Sequence, residues 1–109
     1  MTSTLIVGGL TIDRFIDGSV AAGGSVLHSG LATVAAGSAL TVLTVAGGEP
    51  AAVSGLARLA TLGNLAHQPA QATTTYRHEE RDGVRVLFLE ARTEPIRADR
   101  LGGDRKSVV

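Results

Sequence analysis

Ala21-Ala22-Gly23-Gly24-Ser25-Val26-Leu27-His28 places a paired glycine between an extended segment and an apolar run at helical spacing. Two adjacent glycines free the backbone from the limits a Cβ imposes, and they let a ligand approach main-chain N–H groups closely. That suits a hinge or a binding floor. An ordinary strand-to-helix turn uses the same residues, so the surrounding chain has to decide between the two. After the pair, Val26, Leu27, Leu31, Val34 and Ala35 form one apolar stripe that Gly37 stops. Gly24 or Ser25 then falls near the N-cap, where free N–H groups and a partial positive charge face whatever lies above.

Before the pair, Thr4-Leu5-Ile6-Val7-Gly8-Gly9 is a short continuous apolar run closed by glycine, the pattern of a buried parallel strand. Asp13 follows a few residues past its carboxyl end. Ligands of open α/β sheets collect at such ends, so Asp13 is either a binding acid or a turn cap. Arg14 to Ala22 reads as irregular chain or an edge strand, with Asp17-Gly18 as a hairpin-type turn.

Beyond the first helix, Leu40-Thr41-Val42-Leu43-Thr44-Val45 is a second strand bounded by Gly37 and Gly47-Gly48. Glu49-Pro50 opens a second helix, with Val53, Leu56, Leu59 and Ala60 on one face and Gly63 as its stop. Asn64-Leu65-Ala66-His67 is a candidate third strand. Strands alternating with amphipathic helices predict βαβ units and a parallel sheet. After Pro69 the pattern changes. Ala72 to Glu80 and Val84 to Ala91 are β-prone segments joined through Arg81-Asp82-Gly83, a strong hairpin signal. The hairpin is predicted to project as a flap, with Val84, Val86 and Phe88 on one face and Arg85, Leu87 and Leu89 on the other. Apolar residues on both faces imply that something covers it in part, a substrate or another chain.

The chain's 109 residues suit one small domain or part of one. With 44% hydrophobic residues but one tyrosine, two phenylalanines and no tryptophan, the core has to be aliphatic. No cysteine is present, which excludes disulfides and thiolate metal sites. The apolar run near the amino terminus is too short for a signal peptide or a membrane span, and a cytoplasmic location is expected. Ten basic and ten acidic residues cancel, so neither nucleic acid nor an anionic membrane is expected as a partner. Only Asp13, Arg14, Asp17, Glu49 and Arg58 are charged among residues 1–70, and the other charges crowd between Arg77 and Lys106. The first block is therefore expected to be covered on both faces and the second to be solvated.

Several familiar chemistries are excluded. Gly8-Gly9 lacks the G-x-G-x-x-G of dinucleotide binding, and no Walker-type phosphate loop is present. His28, His67 and His78 have no metal-ligand spacing, and no metal site is expected. Ser25 and Ser29 lack a nucleophile elbow.

The order of these parts resembles the amino-terminal portion of the PfkB/ribokinase family of carbohydrate and nucleoside kinases, over roughly residues 4–101. The strand and acid appear as Gly8-Gly9-Leu10-Thr11-Ile12-Asp13, and the Gly-Gly helix start as Gly23-Gly24-Ser25-Val26-Leu27-His28-Ser29-Gly30-Leu31-Ala32. The next strand's ending appears as Thr44-Val45-Ala46-Gly47-Gly48-Glu49. Ala72-Thr73-Thr74-Thr75-Tyr76-Arg77 with Asp82-Gly83-Val84-Arg85 looks most like the branch containing inositol-kinase-like members. The resemblance implies an α/β fold: a partial ribokinase-like parallel sheet with flanking helices and a projecting antiparallel β-lid hairpin, its lid segments about 14–22 and 70–92. It implies that Asp13 takes hydroxyls of a sugar, polyol or nucleoside, that Gly23-Gly24 is the lid hinge against the substrate, and that His28 also contacts substrate. His28 departs from the family's usual asparagine, and Gly48-Glu49 depart from its usual Gly-x-Asp ending.

The family's catalytic base, anion hole and nucleotide pocket lie in its carboxy-terminal half, around a Gly-Ala-Gly-Asp-type motif that this sequence lacks. No catalytic residue is therefore assigned here. ATP and Mg2+ are implied for a full-length parent, with neither bound by this portion alone. A second reading is a non-catalytic polyol-binding module, or one that pairs as a homodimer through exposed lid edges. Asp104-Arg105-Lys106-Ser107-Val108-Val109 matches the translation of a sequencing-adapter oligonucleotide, GATCGGAAGAGCGTCGTG. The expectation is a natural portion over 1–103 and an adapter-derived tail over 104–109. Such a portion, with an open sheet edge and uncovered apolar faces, is expected to be marginally stable or to aggregate when expressed alone.

Overall fold

The computed structural model describes residues 2–97. The tail over 104–109 and the last residues of the 1–103 portion lie outside the described residues. Seven strands and two helices run in the order β1 (Ser3–Val7), β2 (Thr11–Arg14), β3 (Val20–Gly23), α1 (Ser25–Ala35), β4 (Ala39–Ala46), α2 (Pro50–Leu62), β5 (Asn64–Pro69), β6 (Thr74–Arg81) and β7 (Val84–Ala91).

The strands divide into two sheets. β1, β4 and β5 form a three-stranded parallel sheet with β4 in the middle. In its register Ile6, Val42 and Leu65 lie opposite one another on one face, and both helices pack there. The core they close is aliphatic, as the composition requires: Val26 and Leu27 from α1, Leu40 and Val42 from β4, and Ala52 and Leu59 from α2. Each such side chain contributes about 1.5–3 kcal/mol by leaving water. Leu10, on the chain leaving β1, is fully buried in the same core and links this layer to the second sheet. The opposite face is covered only in part. It carries buried Leu43 and Val45, but Val7 is 45% exposed, so the expectation of a layer covered on both faces holds for β4 and not for β1.

The second sheet has four strands in the order β3-β2-β6-β7. Two antiparallel hairpins, β2–β3 and β6–β7, join side by side through a parallel pairing of β2 with β6. The second hairpin turns on Asp82 and Gly83, both with positive φ (51° and 77°), the mirror-image turn that Asp-Gly favours. The first begins earlier than the segment at about 14–22. Thr11-Ile12-Asp13-Arg14 is a strand rather than a loop because Ile12, 4% exposed, faces the core while its backbone bonds both neighbours. Asp13 therefore sits on a strand of the second sheet, not on a loop beyond β1.

Two side-chain bridges tie the layers together at the start and end of the β6–β7 hairpin. Glu49, at the N-cap of α2, accepts from the Thr73 amide and hydroxyl, both at 2.8 Å, and Thr73 Oγ1 in turn accepts from the Gly47 amide at 2.8 Å. Buried Gln68 on β5 donates to the Pro95 carbonyl at 2.9 Å and accepts from the Arg97 amide at 2.8 Å. Among the described residues no helix is long and apolar enough to cross a membrane.

Candidate functional site

The paired glycine is the junction of the two layers. Gly23 ends β3 and Gly24 is the N-cap of α1, with φ 93° and ψ 164°. A side chain at Gly24 would be strained by that φ alone. At Gly23 the obstacle is a neighbour: a Cβ there would meet Asp13 Oδ2 at 2.5 Å. The carboxylate of Asp13 thus lies directly over the glycine that ends β3, one residue before the helix N-cap. The β2–β3 register explains the approach, because Thr11 is opposite Gly23 and Asp13 opposite Ala21 on the same face.

Asp13 Oδ1 is 3.1 Å from His78 Nε2 on β6. The β2–β6 register puts Asp13 beside Tyr76, so His78 is the next residue along that face. Its ring also packs against Phe15, with centroids 4.8 Å apart. The Asp13 side chain is 26% exposed and that of His78 14%, so the pair is sheltered but the carboxylate is still reachable. Leu87, opposite His78, and Leu89, opposite Tyr76, extend the face as an exposed apolar margin. His28 is not bonded to this pair. It is exposed on the first turn of α1, and among the described residues its ring makes no hydrogen bond to Asp13.

The reverse face of β2 and β6 has a different character. Arg14 meets Glu90 at 3.3 Å, and Arg77 meets Glu90 at 3.5 Å and Glu79. Arg77 and Arg81 lie 4.6 and 5.1 Å from the centre of the Phe88 ring. A cleft of about 840 Å³ opens on this side, between Ile12, Arg14 and Thr75 of the sheet and Glu49, Ser54 and Arg58 at α2. Neighbouring residues of a strand point to opposite faces, so this cleft lies behind the Asp13 face and not on it.

Glu49 ionises below its usual range. Burial acts to raise its pKa, but hydrogen bonds from the Thr73 amide, its own amide and the Thr73 hydroxyl outweigh that. Among the described residues no group of three or more His, Cys, Asp or Glu is arranged to hold a metal ion.

Sequence reasoning singled out Asp13, Gly23, Gly24 and His28; the fold sets Asp13 against Gly23, with Gly24 next in the chain and His28 on the first turn of α1. It missed His78, weighed only as a metal ligand, and the tie made by Glu49. Neither has a local signal: His78 is 65 residues from Asp13 and Glu49 is 24 from Thr73.

Comparison with solved structures gives the fold. A pyrophosphate-dependent myo-inositol-1 kinase converted by two substitutions into a myo-inositol-3 kinase matches 91% of this chain and 34% of its own, with TM-score 0.68 and 21% identity. A pyrophosphate-dependent kinase in the ribokinase family, complexed with a pyrophosphate analogue and myo-inositol, matches 91% of this chain and 35% of its own (TM-score 0.62, 20% identity). The sulfate complex of a pyrophosphate-dependent kinase in the ribokinase family matches 91% and 37% (TM-score 0.61, 18% identity). The chain therefore has a ribokinase-like fold and spans about a third of the length of these structures. No family model matches it. No curated protein does either.

Proposed function

We propose that this chain is the acceptor-binding and lid portion of a PfkB-type kinase that transfers a phosphoryl group to a hydroxyl of a sugar, polyol or nucleoside. The observation that carries the reading is the Asp13 carboxylate, held over Gly23 at the junction of a projecting sheet and the first helix of a ribokinase-like layer. A carboxylate accepts hydroxyl hydrogens, and the missing Cβ of Gly23 is what lets this one sit at the junction of the two layers. In this reading the β3-β2-β6-β7 sheet is the lid and Gly23-Gly24 its hinge. Closing the lid brings the exposed Leu87 and Leu89 over the acceptor and excludes water from the transfer. His28, at the start of α1, is proposed as a further acceptor contact in the closed state.

Phosphoryl transfer also needs groups that position the donor and neutralise the moving charge. The sequence lacks the family's motif for them, so the reading gives this chain the acceptor side alone. ATP with Mg2+ is the proposed donor of the full-length parent. Pyrophosphate is the second reading, favoured by the three neighbours described as pyrophosphate-dependent. The test is a transfer assay on the full-length parent with myo-inositol and simple sugars, each donor in turn. Asp13→Asn is expected to lower kcat/KM about 100-fold, the scale of losing a polar contact to the reacting group. Near-normal turnover of that variant would remove Asp13 from the site.

A further inference from the structure

We propose that His78 is a positioning residue for the acceptor site: it donates Nε2–H to Oδ1 of Asp13 and so holds Oδ2 over Gly23 as the oxygen that receives the acceptor hydroxyl. The inference rests on the acceptor reading of Asp13 given above.

The chemistry of the pair assigns the donor. An ionised carboxylate only accepts, so Nε2 carries the hydrogen of the 3.1 Å bond. The other ring nitrogen, Nδ1, is buried and has no hydrogen-bond partner. A bare lone pair tolerates that position better than a second N–H, whose loss of water would be uncompensated. The ring is thus set in one tautomer, with one possible gift. Phe15 fixes its plane by packing against it at 4.8 Å.

The consequence falls on Asp13. Its side chain has two rotatable bonds and, on a half-buried strand, more than one accessible rotamer. One oxygen fastened by His78 and the other close to Gly23 leave a single orientation. Oδ1 is occupied, and among the described residues Oδ2 takes part in no hydrogen bond. A polyol hydroxyl then meets a carboxylate already aimed at it, and binding does not have to freeze that side chain.

A brace between strands is the competing role, and the backbone argues against its being needed. β2 and β6 are already paired from Thr11 opposite Thr74 to Arg14 opposite Arg77. A positioning role and a bracing role also separate by experiment.

The 15N-labelled full chain is titrated with myo-inositol as the probe and followed by NMR, alongside His78→Phe, His78→Gln and Asp13→Asn. The His78 ring nitrogens are expected to show the Nε2–H tautomer, and Asp13→Asn to abolish that preference. His78→Phe keeps the packing on Phe15 but loses the donor, and is expected to weaken inositol binding about tenfold with little change in the unfolding midpoint. His78→Gln restores an N–H at a similar reach and is expected to bind within about threefold of the parent. Equal binding by His78→Phe and the parent would overturn the positioning role and leave the acceptor reading standing. Loss of fold in His78→Phe with normal binding by a His78→Gln that shows no contact to Asp13 would assign a brace and overturn it too. An Nδ1–H tautomer in the parent would also overturn it. Absence of binding by the parent itself would overturn the acceptor reading, and this inference with it.

Discussion

Strand β4 of the parallel sheet is buried at every position from Val42 to Ala46, whereas β7 of the second sheet has no buried residue along its whole length. The first is held by what surrounds it. The second is held by its edges: the Asp82-Gly83 turn, the pairing of β6 with β7, and charged side chains laid over Phe88. One protein thus contains a layer stabilised by burial and, at the β7 edge of the second sheet, a strand held mainly by backbone pairing. Within the second sheet the apolar burial is on the β2–β3 side, where Ile12 and Ala22 meet the core, and β7 is the strand whose displacement exposes little that was covered.

The sharpest way to break this contrast is to cut each layer equally. Leu59→Ala, at a side chain 1% exposed in the core, is expected to cost about 3 kcal/mol of stability in urea unfolding. Leu87→Ala in the second sheet, 54% exposed, is expected to stay within about 0.5 kcal/mol. Comparable losses would mean that the second sheet has a core of its own.

The junction between the layers comes next. Glu49→Ala removes two hydrogen bonds to Thr73 and is expected to cost about 2 kcal/mol. The folded pKa of Glu49 lies below the ordinary 4.5, so its contribution is complete above that value and is lost as pH falls through the folded pKa. Melting midpoints of parent and Glu49→Ala are therefore expected to differ at pH 7 and to converge as pH falls through the folded pKa of Glu49. A constant difference across that range would show that the carboxylate's charge is not what ties the hairpin to α2. The smallest effect is expected at Arg14→Ala. Its ion pair with Glu90 is half in solvent, and thermal unfolding should register no more than about 0.5 kcal/mol.

The same contrast explains what could be read from the chain alone. Parallel strands and helices announce themselves through runs such as Leu40–Val45 and the stripe from Val26 to Ala35, because burial writes a local pattern. The β6–β7 turn was equally plain in Asp82-Gly83. Ile12 was not read as strand because four residues give too short a period, and its status comes from pairing with Ala22 and Thr75. The acid at Asp13 and the glycines at 23 and 24 were legible as a candidate site, since each has a distinctive local meaning. His78 was not. Its contact with Asp13 depends on the register of two strands from different hairpins, and no spacing along the chain encodes that.

That register also sets an order of events during folding. Each hairpin of the second sheet pairs strands close in sequence, but joining Thr11 to Thr74 closes a loop that contains both helices and the whole of β4 and β5. Closing so long a loop is slow unless its contents are already compact. The parallel layer is therefore expected to condense first and to carry the two hairpins together, so that the Asp13–His78 pair is among the last contacts made as the protein leaves the unfolded state.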